Sequence, residues 1–208
     1  MIYDKQNEVW FGIGVPAFAF DYRIFSFSRA LINGTNYLAF SGRFDFNVSG
    51  NAYHSVALYN LDQNAWVPLN LLISIPTFDG GIYGVILDDT GIMYVSGYMN
   101  VSATLYSVLS YDISTGISNT IAELPVGVQD NGENGAYGIS LYTDANSNKF
   151  IYAAGLFNVL SENSVPKNVT VGLIYTNVNG NGEWKIAGKS NLLYGSYYVA
   201  ASESYILS

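Results

Sequence analysis

Hydrophobic residues in this chain fall in short runs bounded by clusters of Asn, Asp, Gly and Ser. Val85-Ile-Leu87, the turn Asp88-Asp-Thr-Gly91 and the run Ile92-Met-Tyr-Val-Ser-Gly97 are representative. No stretch of about a dozen residues repeats its apolar positions at helical spacing, so the pattern predicts an all-β chain. Four short strands form each unit. The first holds Val85–Leu87 or Ile139–Tyr142, and a tight polar turn follows, Asp88–Gly91 or Asp144–Asn148. The second ends in a small residue and glycine, as in Tyr37–Gly42, Ile92–Gly97 and Phe150–Gly155. A longer variable loop is expected before the third strand, which is Ser55–Tyr59, Ser107–Tyr111 or Val171–Tyr175. The fourth carries a tryptophan and is reached through a hairpin rich in Asn, Asp and Gly, residues that tolerate the positive φ angles of such turns.

Three markers recur in one register. A tyrosine precedes a tryptophan in Tyr3 to Trp10, Tyr59 to Trp66 and, over a longer turn, Tyr175 to Trp184, while the copy at Tyr111 has Asn119 where the tryptophan is expected. The glycine-ending strands supply the second marker, and Tyr83-Gly84, Tyr137-Gly138 and Tyr194-Gly195 the third. Trp10 and Trp66 are 56 residues apart, and Trp66 and Trp184 are 118 apart, or two units of 59. That period is near the length of a propeller blade.

A hydrophobic strand, a glycine and then Tyr-x6-Trp resembles the repeats of kelch-type β-propellers, and the likeness covers nearly the whole chain. Gly42-Arg-Phe44 and Gly155-Leu-Phe157 are similar to the Gly-x-Phe of looser relatives, the fungal cell-polarity surface proteins and bacterial surface propellers. Where kelch repeats have a glycine pair, this chain has Ser41, Ser96 and Ala154 in the first position. The resemblance implies a propeller of about four four-stranded blades in one domain, 1–208. Units at 25–70, 81–124 and 135–188 are complete, and 1–14 and 194–208 are partial. Pairing of the two partial units would close a four-bladed ring and protect its sheet edges. The alternative is a segment of a longer propeller.

Half of the residues are hydrophobic, with 18 Tyr and 11 Phe, enough to fill several inter-blade cores. A net charge of −8 disfavours nucleic acid or an anionic membrane as partner. No apolar run is long enough to span a bilayer. The chain has no cysteine and few lysines but much Tyr, Ser, Asn and Gly, a composition similar to that of surface proteins. Asn33, Asn47, Asn100 and Asn168 each begin an Asn-x-Ser/Thr sequon. The last three are expected in the loop between second and third strands of three different blades, which points to an extracellular or cell-surface setting. Exposed loop asparagines without sugar fit the same pattern.

Candidate chemistry is sparse. His54, the sole histidine, sits beside Ser55 at the start of a third strand, and no spacing supplies the acid and oxyanion site of a Ser/His/Asp arrangement. Histidine and cysteine are too few for a transition-metal site. Asp79, Asp130 and Glu133 lie in Gly-rich loops before the first strands of successive blades, where oxygen ligands could hold Ca²⁺. Asp-Gly and Asn-Gly are also ordinary turn residues, and no other cofactor is expected. A galactose-oxidase-like copper centre lacks its residues here, and Arg23, Arg29 and Arg43 all fall in one unit rather than in several, as a sialidase-like site would need. Trp10, Trp66 and Trp184 are expected to pack between neighbouring blades, and Gly42, Gly97 and Gly155 to allow a close backbone approach. The function expected from this reading is a non-enzymatic surface module that binds a protein or glycan, or assembles into an array, filament or virion. The alternative is a carbohydrate-active hydrolase using the acidic loops.

Overall fold

The computed structural model describes residues 2–4, 8–11, 23–71, 81–101, 104–123, 135–160, 166–169, 173–177 and 183–186, with side-chain surroundings for residue 8, 23–71, 81–99, 108–118 and 136–153. These residues form strands, turns and short connections. A two-stranded hairpin comes first, β1 (Ile2–Asp4) with β2 (Val9–Phe11). Three antiparallel meanders follow, each in sequential order. The first unit is β3 (Arg23–Ile32), β4 (Thr35–Val48), β5 (Asn51–Asn60) and β6 (Ala65–Val67). The second is β7 (Ile82–Leu87), β8 (Ile92–Val101), β9 (Thr104–Asp112) and β10 (Ile117–Glu123). The third is β11 (Gly135–Thr143), β12 (Lys149–Leu160), β14 (Leu173–Asn177) and β15 (Glu183–Ile186), with β13 (Pro166–Val169) also pairing on β12. The chain is thus all-β and built of antiparallel four-stranded sheets, one for each full repeat.

The tyrosine–tryptophan marker is a cross-strand pair. Tyr3 faces Trp10, Tyr59 faces Trp66 and Tyr175 faces Trp184 across the last hairpin of each unit. In the second unit the residue opposite Tyr111 is Ser118, so the missing tryptophan belongs at Ser118 and not at Asn119. The residue after the tyrosine holds the turn: Asn60 Oδ1 accepts the amides of Asp62 and Gln63, and Asp112 Oδ1 those of Ser114 and Thr115. Such Asx caps compete well with ladder bonding and end the strand.

One expectation is overturned. The second and third strands are joined in the first unit by two residues only, Ser49 and Gly50, both with positive φ (53° and 85°). A two-residue turn of this type matches the twist of its flanking strands. The ladder therefore runs on to Val48 opposite Asn51, and in the second unit to Val101 opposite Thr104. What reads as a loop is a two-stranded arm. It leaves the sheet at a bulge, since Gly42, Arg43 and Phe44 lie between the pairs Ser41 with Val56 and Asp45 with His54, opposite a single residue, Ser55. Extra residues bend the strand and raise its twist. The second unit bulges at the same place, where Gly97-Tyr98 interrupt β8. Met99, fully buried, stands two residues after Gly97 as Phe44 does after Gly42, but in register it pairs with Tyr106 as Phe46 does with Tyr53.

Successive units stack through their first strands, β3 against β7 and β7 against β11. The core between the first two combines Ile32, Ala39, Val56 and Leu58 with Ile82, Val85, Met93, Val95 and Leu109. Alternation decides which side chains enter it. Two inward serines of β3 also bond to β7: Ser28 Oγ accepts the Leu87 amide at 2.9 Å and Ser26 Oγ the Val85 amide at 3.4 Å.

Candidate functional site

The most repeated feature with exposed chemistry lies at the start of the first strands. In each unit the first strand carries one extra residue against the second: Phe25 between the pairs Ile24 with Gly42 and Ser26 with Ser41, Tyr83 between Ile82 with Gly97 and Gly84 with Ser96, and Tyr137 between Ala136 with Gly155 and Gly138 with Ala154. A bulge re-aims the side chain at the extra position. Here the three re-aimed rings meet. Phe25 stacks on Tyr83 at 5.4 Å between centroids with planes 29° apart, and Tyr83 meets Tyr137 edge to face at 4.9 Å and 66°. Phe25 is exposed and the two tyrosines are half-buried, so the column presents ring surface to solvent. Tyr83-Gly84 and Tyr137-Gly138 are two of the sequence markers, whereas the first unit's counterpart, Phe25-Ser26, shares neither residue type and escapes sequence comparison.

The repeat glycines make the bulge. A Cβ on Gly42 would stand 2.0 Å from the carbonyl oxygen of Arg23, and one on Gly97 2.3 Å from that of Gly81. Gly155 holds the same register position opposite Ala136. The close approach expected of these glycines is therefore, at Gly42 and Gly97, a contact with the carbonyl two residues before the bulged aromatic.

Trp66 packs within its own unit as far as the described residues go, on the face that also carries Phe40. Its ring neighbours among the described residues are Phe40, Phe46, Tyr53 and Tyr59, all of its own unit, with centroids 4.8 to 6.0 Å away. The arm is the reason, since the twist at the bulge brings Phe46 and Tyr53 over the tryptophan. Burial raises the pKa of Tyr53 and Tyr59, and the Tyr59 hydroxyl donates to Asn64 Oδ1 within the turn. Trp10 and Trp184 lie on β2 and β15, and their side-chain surroundings are outside the described residues.

The second and third units are joined by an ion pair. Lys149 Nζ lies 2.6 Å from Asp88 Oδ2, with side-chain exposures of 23% and 2%. Asp88 Oδ1 accepts the amides of Thr90 and Ile92 and the Thr90 hydroxyl. The carboxylate is thus fully used in holding a turn and a neighbour.

His54 belongs to the arm, where its Nδ1 lies 2.6 Å from Asp45 Oδ1 on the exposed face. Ser55, next in sequence, is buried with φ 59° opposite the bulge. Asn33 is exposed in the β3–β4 turn, Asn47 is exposed near the end of β4, Asn100 lies near the end of β8, and Asn168 lies on β13 opposite Asn158. The last three are therefore on strands of the arms and not in loops. Asp79, Asp130 and Glu133 lie outside the described residues. Among the described residues no three His, Cys, Asp or Glu side chains gather as metal ligands, and no helix is long and apolar enough to cross a membrane. A scan against protein-family models and a search of curated proteins find no match to the chain.

Proposed function

We propose that the chain is a β-propeller module whose units are successive blades, and that it is a non-enzymatic, extracellular or cell-surface protein that binds a glycan or protein ligand at the starts of its inner strands. The observation that carries the reading is the column Phe25–Tyr83–Tyr137, one ring from each unit, set by the same bulge. Rigid aromatic rings with an exposed face bind sugar C–H faces and apolar peptide side chains at little cost in conformational entropy. The propeller reading draws on the stacking of β3, β7 and β11 and on the 59-residue spacing of the serine-to-amide bonds between units.

The outward face of β3 supports a further blade beside it. Ile24 and Phe27 are 60% and 71% exposed, whereas Ile82 and Val85, their counterparts in the second unit, are 0% and 2% exposed beneath the preceding unit. In this reading the β1–β2 hairpin and the repeat copy at 194–208 supply the covering blade. Carbohydrate hydrolysis, the second reading, draws on Asp79, Asp130 and Glu133, and no described geometry favours it.

The test is a glycan and peptide binding screen followed by calorimetric titration of the best ligand against wild type and Tyr83→Ala. A loss of affinity of about tenfold or more is expected for loss of a central aromatic contact. Unchanged affinity in a folded Tyr83→Ala variant would remove the column from the binding surface.

A further inference from the structure

Two asparagines of the arms occupy one structural position. The first arm closes with Val48 opposite Asn51 around Ser49-Gly50, and the ladder of the second runs to Val101 opposite Thr104. One pair further in stand Asn47, opposite Ala52, and Asn100, opposite Leu105. In both arms the asparagine stands one pair before the last pair of the ladder, the valine of that last pair follows it, and serine comes next in the sequence. Asn-Val thus holds the same register position in two units, each time at the head of an Asn-Val-Ser sequon. Asparagine is depleted in strands, so its recurrence there needs a reason other than strand formation.

The first arm shows what the position offers. Asp45, Asn47, Ser49, Gly50, Ala52 and His54 are all exposed, while Phe46 and Tyr53 pack around Trp66 on the opposite face. The Asn47 side chain uses its oxygen locally, Oδ1 accepting the Gly50 amide at 3.1 Å, which directs Nδ2 away from the turn. Asn33 differs. It sits in a turn with φ 49°, followed by Gly34 at 81°, where Asn-Gly is the favoured pair on backbone grounds alone.

We propose that Asn47, and Asn100 in the equivalent place, are acceptors of an N-linked glycan. The proposal rests on the extracellular placement given above and adds the site. The Nδ2 of Asn47 forms a bond to the anomeric carbon of an oligosaccharide carried on a lipid phosphate. The bond from that carbon to the phosphate oxygen breaks, the lipid phosphate leaves with the electron pair, and the amide gives up one proton. Transfer precedes folding, because the acceptor must leave the ladder to be reached. The folded arm then carries the sugar on its polar face, clear of the aromatic cluster.

The experiment is secretion of the full chain, with a secretory leader, from a eukaryotic host, followed by enzymatic deglycosylation in heavy-oxygen water and peptide mass spectrometry. Ser49→Asn removes the sequon hydroxyl while keeping a residue suited to positive φ at the turn, and Asn47→Asp keeps the Oδ1 acceptor while removing the amide. The expected result is a heavy-oxygen mark on Asn47 and Asn100 in the wild type, with one glycan lost from the intact mass in each variant. A bare Asn47 in secreted, folded protein overturns the proposal. A glycan on Asn47 in that host, with a bare Asn47 in protein from its native source, supports the site and overturns the extracellular placement.

Discussion

Gly97→Ala isolates the device on which each unit depends. Gly97 does not have a positive φ, so alanine brings no backbone strain of its own and the effect is one of space. The new Cβ would stand 2.3 Å from the Gly81 oxygen, 3.0 Å from the Ile82 Cα and 3.2 Å from the Gly81 carbonyl carbon. Real Cβ atoms essentially never approach within 3.0 Å, and all three neighbours are backbone, which cannot rotate away. Relief requires the 81–82 peptide to move by roughly 0.7 Å, the shortfall at the oxygen, and a shift of that kind in a packed interior costs about 1–3 kcal/mol. The Gly81 oxygen also accepts the Tyr98 amide at 3.3 Å, close to the limit of a hydrogen bond, and losing it adds about 1 kcal/mol. The expected destabilisation is therefore about 2–4 kcal/mol.

The assay is urea unfolding followed by tryptophan fluorescence, with the midpoint and slope compared between variants. Gly34→Ala serves as the control. Gly34 has φ 81° and nothing within 4 Å of its built Cβ, so its cost is conformational alone, about 1 kcal/mol. A Gly97→Ala protein within about 0.5 kcal/mol of wild type, the range of ordinary surface substitutions, would refute the close-approach account of the repeat glycine.

Asp88→Ala removes the carboxylate that Lys149 and the 88–92 turn share, and about 3 kcal/mol is expected for leaving a largely buried pair half broken. Lys149→Ala should cost less, since it leaves Asp88 its Thr90 and Ile92 donors; urea midpoints check the order, and a larger loss for Lys149→Ala would contradict it. Acid should also weaken the fold. The Asn36 amide and side chain lower the pKa of Asp62, the Ser114 side chain and amide that of Asp112, and the Asn148 side chain that of Asp144. A carboxylate with a folded pKa below its unfolded value, about 3.9, gives stability present above that value and lost as pH falls through the folded one. The urea midpoint of the wild type should drop between about pH 4 and pH 2, more than that of a variant with all three changed to Asn. An equal drop in both would assign the acid sensitivity to other groups.

Much of the strand plan was legible because the alternation and the turns are local. Tyr59 and Trp66, seven residues apart, already encode a four-residue hairpin with Asn60 as its cap. The arms were not legible. Ser49-Gly50 is a strong turn signal, but the ladder it continues is broken by extra residues at Gly42–Phe44, so the period-two pattern loses its phase and the segment reads as a loop. The surroundings of Trp66 follow from the same break, because Phe46 and Tyr53 reach it only after the bulge twists the arm. The aromatic column was half legible. Tyr83 and Tyr137 announce themselves, while Phe25 is recognised only from its register against Ser41 and Gly42.

The glycine marker and the aromatic marker are two ends of one mechanism. With no Cβ at Gly42 or Gly97, the carbonyl of Arg23 or Gly81 can press against the second strand, and that displaced carbonyl is what leaves room for one surplus residue in the first strand. The surplus residue is the aromatic. Because Phe25 touches Tyr83 and Tyr83 touches Tyr137, an error at one glycine propagates along the column. The second unit is pressed from both sides: the Phe25 ring lies 3.2 Å from a Cβ built on Gly81, and a Cβ on Gly84 would meet Ile139 at 2.8 Å. Glycine at 81 and at 84, on either side of Ile82-Tyr83, is what lets the neighbouring units close in on that ring. A substitution at Gly97 should thus disturb the Tyr83 ring and its two neighbours together with the stability of the sheet, tying the shape of the proposed binding surface to the same backbone contact that holds the unit together.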